Sequence, residues 1–418
     1  MTHIEKLQNI IRKPPMGLVD MLSANNKHGS NPLNINFDAS FITSYIESKL
    51  PQITIGVQYG CRGVDINLLL ANTADPDLVV ETNYQNFLSL PGVKQRLLLE
   101  NFTVMFSDFE ENGWTMGNLR TCIKEVISKL QVMPKRIIIL TAETNQDSVP
   151  ELNIDIVYFP CFVILTGCVN TTIKLLNDDE YKENARQKII NNHKKFCLFP
   201  NRKPRPNRVR LLAELDKHNL LDNIDWSLAY NPVQVGSDKD YGKILLSPTN
   251  TQFNDQLHND ESLNVFLSKY KWPRIFEKLG NPTYTISSDW IGQYKWYIST
   301  EAYDDSSEKN SFGFLNFISE KTLKAFYIGA YPIIMGNAGM HQHLKNIGLK
   351  MKECEYDLYE GKTRIPYIVE FVKQLHNSDW YLDEILYNFD TVTNPQWMID
   401  IAVNALNSIA YCKNKSNS

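Results

Sequence analysis

Two lobes of parallel α/β structure are the architecture this 418-residue sequence predicts. Short apolar runs rich in β-branched residues alternate with longer stretches of helical period, the pattern of parallel sheets joined by crossover helices. The length corresponds to between two and three core units of about 150 residues. A very polar stretch at 177–195 divides the alternation into two series of similar size, and reads as a surface helix or a hinge. The expected division is an N-terminal lobe at 1–190, a C-terminal lobe at 191–393, and a terminal helix and tail at 394–418.

In the first series the strand candidates are Ile53–Val57, 102–106, Arg136–Thr141 and 154–163. Between the second and third lies 116–131, where Leu119, Cys122, Ile123, Val126, Ile127 and Leu130 fall on one helical face, as a crossover helix requires. The second series offers strands at 196–199, 226–230, 296–300 and Tyr331–Met335, with helices at 207–221, 319–328 and 338–346. The stretch 246–288 is irregular and rich in Asn, Ser and Pro, and predicts an insertion or loop rather than a core element. At the end, Asn394 can cap and Pro395 can open a helix with Met398, Ile401, Ala402, Ala405, Leu406 and Ile409 on its apolar face.

Composition narrows the class. Forty-three Lys and Arg against 47 Asp and Glu leave a net charge of −4, so no global positive field draws the chain onto nucleic acid or an anionic membrane. Seven cysteines, odd in number and scattered, fit reduced thiols in a cytoplasmic protein better than a disulfide framework, and no C-x-x-C pair suggests a structural zinc site. The most apolar run, 156–169, is 14 residues long and interrupted by Pro160, short of the roughly 20 that a membrane span needs. The first residues carry neither a secretory nor a transit pattern.

Two features carry candidate chemistry. Between Lys194 and Arg210 lie seven basic residues and no acid. A strand running into this Pro-rich loop and on into a helix would bring Arg202, Arg205 and Arg208 to the carboxyl end of a parallel strand, where open α/β sheets bind ligands. Arginine suits phosphate there, since its planar fork donates two hydrogen bonds. DNA-backbone contact and a solvated loop are the other readings. The second feature is Glu301, a polar loop, and Ser319-Glu320-Lys321. Ser319 is a natural N-cap, so Glu320 and Lys321 fall in the first helical turn beside unpaired N–H groups that attract anions. The alternative is a simple cap with Glu320 complementing the helix dipole and Lys321 solvated. His341 and His343 point about 200° apart on a helix, which disfavours joint metal ligation and reads as a surface pair. Trp290, Tyr294, Trp296 and Tyr297 form an aromatic group suited to core packing or to stacking a base or sugar. The acidic pairs at 75–77 and 238–240 have the Asp-x-Asp form but follow no buried strand, and read as loop acids.

The order strand, Glu301, loop, Ser319-Glu320-Lys321, apolar helix, then Tyr331-Pro332-Ile333-Ile334-Met335-Gly336 resembles the donor-binding region of α1,3-fucosyltransferase-type glycosyltransferases. That family carries Thr-Glu-Lys before a helix and Pro-Val-Val-x-Gly after it. The chain is also similar to bacteriophage and other viral glycosyltransferase-like proteins, matched by Phe199-Pro200-Asn201-Arg202, Gly339 and the run from Leu344 to Gly348. The likeness covers residues 195–375, and Ser319 in place of Thr keeps the capping hydroxyl.

The resemblance implies a GT-B enzyme of two Rossmann-like lobes facing across a cleft. A UDP- or GDP-sugar would bind the C-terminal lobe through Asn201, Arg202, Arg205, Arg208, Glu301, Ser319, Glu320 and Lys321. The cations would neutralise the diphosphate without a metal, and Glu320 would hold ribose or sugar hydroxyls. The acceptor would be a hydroxyl: a hydroxymethylated pyrimidine flipped out of double-stranded phage DNA, or a glycan. For the base that deprotonates it the N-terminal lobe offers Asp108 and Glu110 after one strand and Asp65 after another, although a carboxylate at such a place is also a common helix cap. A non-catalytic nucleic-acid or nucleotide-binding module is the rival of another class. Either would be expected in a cytoplasm, the host's if the protein is viral.

Overall fold

A computed structural model describes residues 53–57, 79–82, 84–107, 119–141, 148–158, 163, 170–191, 193–201, 206–228, 261–272, 274, 286–301, 318–359, 361–375 and 381–414. They group into two compact units, one drawn from Met1–Cys168 with Gln396–Ser418, the other from Val169–Pro395. The boundary therefore falls before the polar stretch rather than at residue 190, and the terminal helix groups with the first unit. Both units are α/β with wholly parallel sheets, as the alternation predicts.

In the first unit the strands β1 (Ile53–Val57), β2 (Val79–Thr82), β3 (Thr103–Ser107), β4 (Arg136–Thr141) and β5 (Ile154–Tyr158) lie side by side in chain order. All six residues of β4 are buried, the continuous apolar reading of a strand covered on both faces. Helices α1 (Tyr84–Leu88), α2 (Gly92–Asn101) and α3 (Leu119–Leu130) join consecutive strands. Their Phe87, Leu98, Ile123 and Ile127 share one core cluster with Val104, Phe106, Ile137 and Ile139. One face takes all three helices because right-handed crossovers that step repeatedly in one direction cannot change sides. Arg136, Ile138 and Leu140 point to the other face. There buried Arg136 donates to the carbonyl of Cys412, in the last turn of α12 (Pro395–Asn414), and lies 3.8 Å from Asp155. A cation on a helix's final carbonyls meets both an orphan acceptor and the negative end of the helix dipole. The predicted helix start at Pro395 and the buried positions Met398, Ala405 and Ile409 appear as expected.

In the second unit the order is β7-β6-β8-β9, with β6 (Lys195–Pro200), β7 (Ile224–Ser227), β8 (Tyr294–Thr300) and β9 (Tyr331–Met335). The chain steps from β6 to one side, then returns to the other. Between β4 and β8 in sequence come α4 (Asn170–Asn177), α5 (Asp179–Asn191), α6 (Pro206–Lys217) and α7 (Glu261–Lys269). After β8 follow α8 (Glu320–Tyr327), α9 (Met340–Asn346), α10 (Gly361–Leu375) and α11 (Leu382–Val392).

The polar stretch is thus helical and part of this unit. Ala185 and Ile189 of α5 are buried, and Lys182 and Arg186 reach Thr393 and Asp390 at 3.3 Å each, at the end of α11. Two glycines let α5 approach the sheet. Gly292, at φ +71°, would bring a Cβ within 2.5 Å of the Lys188 backbone, and Gly329, at φ +69°, within 2.3 Å of the Ile189 side chain.

The expectation of irregular structure over 246–288 is corrected within the described part. Residues Glu261–Lys269 form α7, which buries Leu263, Phe266 and Leu267 and packs on α6, a short i, i+3, i+4 stripe hidden among polar neighbours. Of the aromatic group, Trp296 packs edge-on against Tyr331, Phe371 and Tyr381 in the core, whereas Trp290 is only half-buried. Tyr294 and Tyr297 are buried. Among the described residues no helix is long and apolar enough to cross a membrane.

Candidate functional site at the carboxyl edge of the second sheet

Strand order decides where a site can form. After β6 the chain turns toward β7, and after β8 toward β9 on the opposite side, so the loops leaving β6 and β8 diverge. The crevice beyond the carboxyl ends of such a pair is the usual ligand position in an open α/β sheet. Here those ends are Asn201 and the pair Thr300 and Glu301.

Asn201 ties β6 to β7. Its backbone N–H donates to the carbonyl and hydroxyl of Ser227 at 3.2 and 3.1 Å, and the Ser227 hydroxyl donates back to the Asn201 carbonyl at 3.1 Å. The Asn201 side-chain oxygen accepts from the Thr300 hydroxyl at 3.3 Å, which itself accepts from Arg208 Nε at 2.8 Å. Arg208 is buried in the first turn of α6, which opens at Pro206, a residue suited to a position whose N–H has no helical partner. One cation of the basic block is thereby fixed over the ends of two strands.

Glu301 forms the second cluster. The buried carboxylate accepts from the Ser319 hydroxyl, from the Ser319 N–H at 3.3 Å and from the Thr322 hydroxyl at 2.5 Å. Thr322 in turn lies 2.9 Å from the Ser299 hydroxyl. Its single proton goes to Glu301, so Ser299 is the donor in that pair. Ser319 is the N-cap of α8 and accepts from Lys321 N at 3.3 Å and Nζ at 3.2 Å. The start of α8 thus already holds an anion belonging to the protein, a carboxylate at the positive end of the helix dipole. Burial raises the Glu301 pKa above the usual carboxylate range, against the pull of Lys321 and the two hydroxyls.

Beside it lie three charges of the first turn and the next. Glu320 is 2% exposed; its Oε1 is 3.1 Å from Lys321 Nζ but has no hydrogen-bond partner among the described residues. Lys321 keeps 20% of its side chain accessible. Lys324 is buried, and loss of solvent lowers its pKa to about 8 against the opposing attraction of Glu320. A buried carboxylate oxygen with unused acceptor capacity carries a desolvation cost that a bound donor would relieve.

The turn after β9 borders this cluster, since a Cβ on Gly336 would stand 3.6 Å from Glu301 Cγ. Arg364, with no exposed surface, secures that turn. It donates to the carbonyl of Asn337, to that of Tyr359 at 3.2 Å and to Asp357 at 2.6 Å. His341 corrects the expectation of a surface histidine pair. Its N–H donates to Asp357 at 3.0 Å and its ring contacts the Lys352 carbonyl and Tyr356 hydroxyl at 2.9 Å each, while His343 is buried nearby on the same helix. Burial lowers both pKa values, that of His343 to about 4.

Of the residues singled out from sequence, Asn201, Arg208, Glu301, Ser319, Glu320 and Lys321 gather at this edge. Arg202, Arg205, Asp65, Asp108, Glu110 and both Asp-x-Asp pairs lie outside the described residues. Thr300, Thr322, Ser227 and Arg364 were not anticipated; only the Ser319–Thr322 spacing at a helix start hinted at any of them. Among the described residues no group of three or more His, Cys, Asp or Glu is arranged to hold a metal ion. No protein-family model, no curated protein and no solved structure matches the chain.

Proposed function

We propose that the chain is a nucleotide-sugar-dependent glycosyltransferase of GT-B form, with its donor site at the carboxyl edge of the second sheet. The observation that carries this is the meeting of Arg208 with the ion pair of Lys321 and the buried Glu320, whose Oε1 has capacity for a further donor, where the strand order reverses. The geometry suggests a division of labour. Glu301, Ser319 and Thr322 are consumed in building the start of α8, so they position rather than bind. Lys321 and Arg208 supply charge to a departing diphosphate, and Glu320 accepts a hydroxyl of ribose or sugar. Fixed cations aimed at a leaving group stabilise charge as it develops, with no reorganisation at the moment of reaction, and need no metal ion for it.

The test is transfer from a panel of UDP- and GDP-sugars to hydroxymethylated DNA, plain DNA and glycans, read by mass spectrometry of the released nucleosides and glycans. Lys321→Ala is expected to reduce transfer by about 100-fold or more, the usual effect of removing one preorganised transition-state donor. Unchanged circular dichroism would show that the fold survives. Near-normal turnover in the variant overturns the assignment of Lys321. Nucleotide binding by the wild type with no transfer to any acceptor would point instead to a non-catalytic module.

A further inference from the structure

The opposite, amino edge of the same sheet carries a second concentration of positive charge. A cavity of about 550 Å³ opens there between α4, α5, the first residue of β6 and the turn that leads into β8. Its walls include Lys174, Lys188, Lys194, Tyr181, Ser288 and Asp289. Lys195 also borders it but is neutralised by Asp225 at 2.6 Å and bonded to Tyr294. Lys174, Lys188 and Lys194 differ: among the described residues none has a carboxylate partner, and Lys174 has only the Tyr181 ring, 5.9 Å below its ammonium. Three lysines without a carboxylate partner among the described residues thus line one concave space whose wall includes the carboxylate of Asp289, with Asp178 close to Tyr181. A smaller cavity of about 480 Å³ adjoins across Lys188 and Tyr181, lined by the amides of Asn184, Gln187 and Asn191.

We infer that this pocket binds a small oligophosphate, a diphosphate or triphosphate group alone or carried on a polar molecule. The size is that of a small-molecule site rather than of a surface tracking a polymer. Ammonium groups bind phosphate as point charges without demanding one geometry, which suits a chain of two or three phosphates. The amide-lined extension offers donors and acceptors to whatever polar group carries the phosphates. The site is separate from the proposed donor site, because β6 runs its full length between Lys195 and Asn201.

Titration calorimetry with inorganic pyrophosphate and tripolyphosphate tests this, performed on Lys321→Ala protein so that the carboxyl edge contributes least. Binding is expected to persist in that background and to weaken as salt rises. Each of Lys174→Gln, Lys188→Gln and Lys194→Gln should weaken it about two- to fivefold, and the triple variant about tenfold or more, the range expected of solvent-accessible ion pairs. Arginine at all three positions should restore binding. No binding in the Lys321→Ala background, or equal affinity in the triple glutamine variant, overturns the proposal. So does binding of duplex DNA that pyrophosphate cannot displace and the triple variant abolishes, which would make the lysines a nucleic-acid contact.

Discussion

The two sheets are built from the same parts and differ in order. In the first, five parallel strands follow one another across the sheet; in the second, β6 is central and its successors go to opposite sides. Sequential order sends every connection the same way and leaves no place where neighbouring loops part. The reversed order creates one, and Asn201, Arg208, Glu301 and the start of α8 converge there. In the second unit, therefore, the polar groups described above collect where the strand order reverses, the position that topology favours for a ligand in an open α/β sheet. Buried arginines also act differently in the two units: Arg136 of the first closes a helix end, whereas Arg364 of the second fastens the turn beside the candidate site.

Replacing those arginines should separate the two units most sharply. Arg364→Met leaves Asp357 buried with the His341 N–H but no cation, and breaking such an ion pair costs about 3–5 kcal/mol. Arg136→Met also leaves a buried carboxylate, Asp155, and frees the Cys412 carbonyl, but that carboxylate lies at 3.8 Å rather than 2.6 Å, so the loss should be smaller, about 2–4 kcal/mol. Urea unfolding followed by circular dichroism would rank them; equal losses would mean that Arg364 is no more than a packing residue. Of a size with the Arg136 variant is Gly292→Ala, whose new Cβ meets helix backbone at 2.5 Å in left-handed geometry. Strain and overpacking together should remove about 2–4 kcal/mol, and a variant as stable as wild type would show that α5 can withdraw from the sheet at little cost.

The smallest effect is the dependence on pH. His193 and His343, both in the second unit, are held neutral by burial with pKa values lowered to about 4. The unfolded chain then binds more protons than the folded one between about pH 6.5 and 4, so stability falls as pH drops through that window and levels off below it. Glu301 works in the opposite sense: its raised pKa contributes stability that is lost as pH rises through the folded value. All histidines among the described residues belong to the second unit. Hydrogen exchange at pH 7 and pH 5 should therefore show more opening in the second sheet than in the first, and equal change in both would remove the histidines as its cause.

Strands β1, β4 and β9 were legible at their observed bounds, whereas the readings at 102–106, 154–163, 196–199, 226–230 and 296–300 found their strands with displaced ends. The four-residue β2 was not legible, because two valines between polar neighbours make no periodic signal; its place depends on pairing with β1 and β3. Ser319 to Lys321 were readable because N-capping is local chemistry, whereas Glu301, 18 positions away, entered as a site residue only through the order of elements in the resemblance. Thr300 and Ser227 were not readable, since each gains its role from residues 99 and 26 positions away, and sequence spacing has no means of showing that a hydroxyl will be shared. The histidines were misplaced for a related reason. A helical wheel says which way two side chains diverge, but only the folded chain, which sets Tyr356 on the His341 ring and buries His343 as well, decides that both directions are interior.

Strand β6 also changes what the seven-cation block is. Six residues of extended chain put its two ends about 20 Å apart, more than twice the roughly 8 Å over which charges feel each other at physiological ionic strength. Neighbours in sequence are therefore strangers in solution. An anion bound at one end leaves the other unscreened and unoccupied, and the two ends can be titrated by salt or by ligand one at a time.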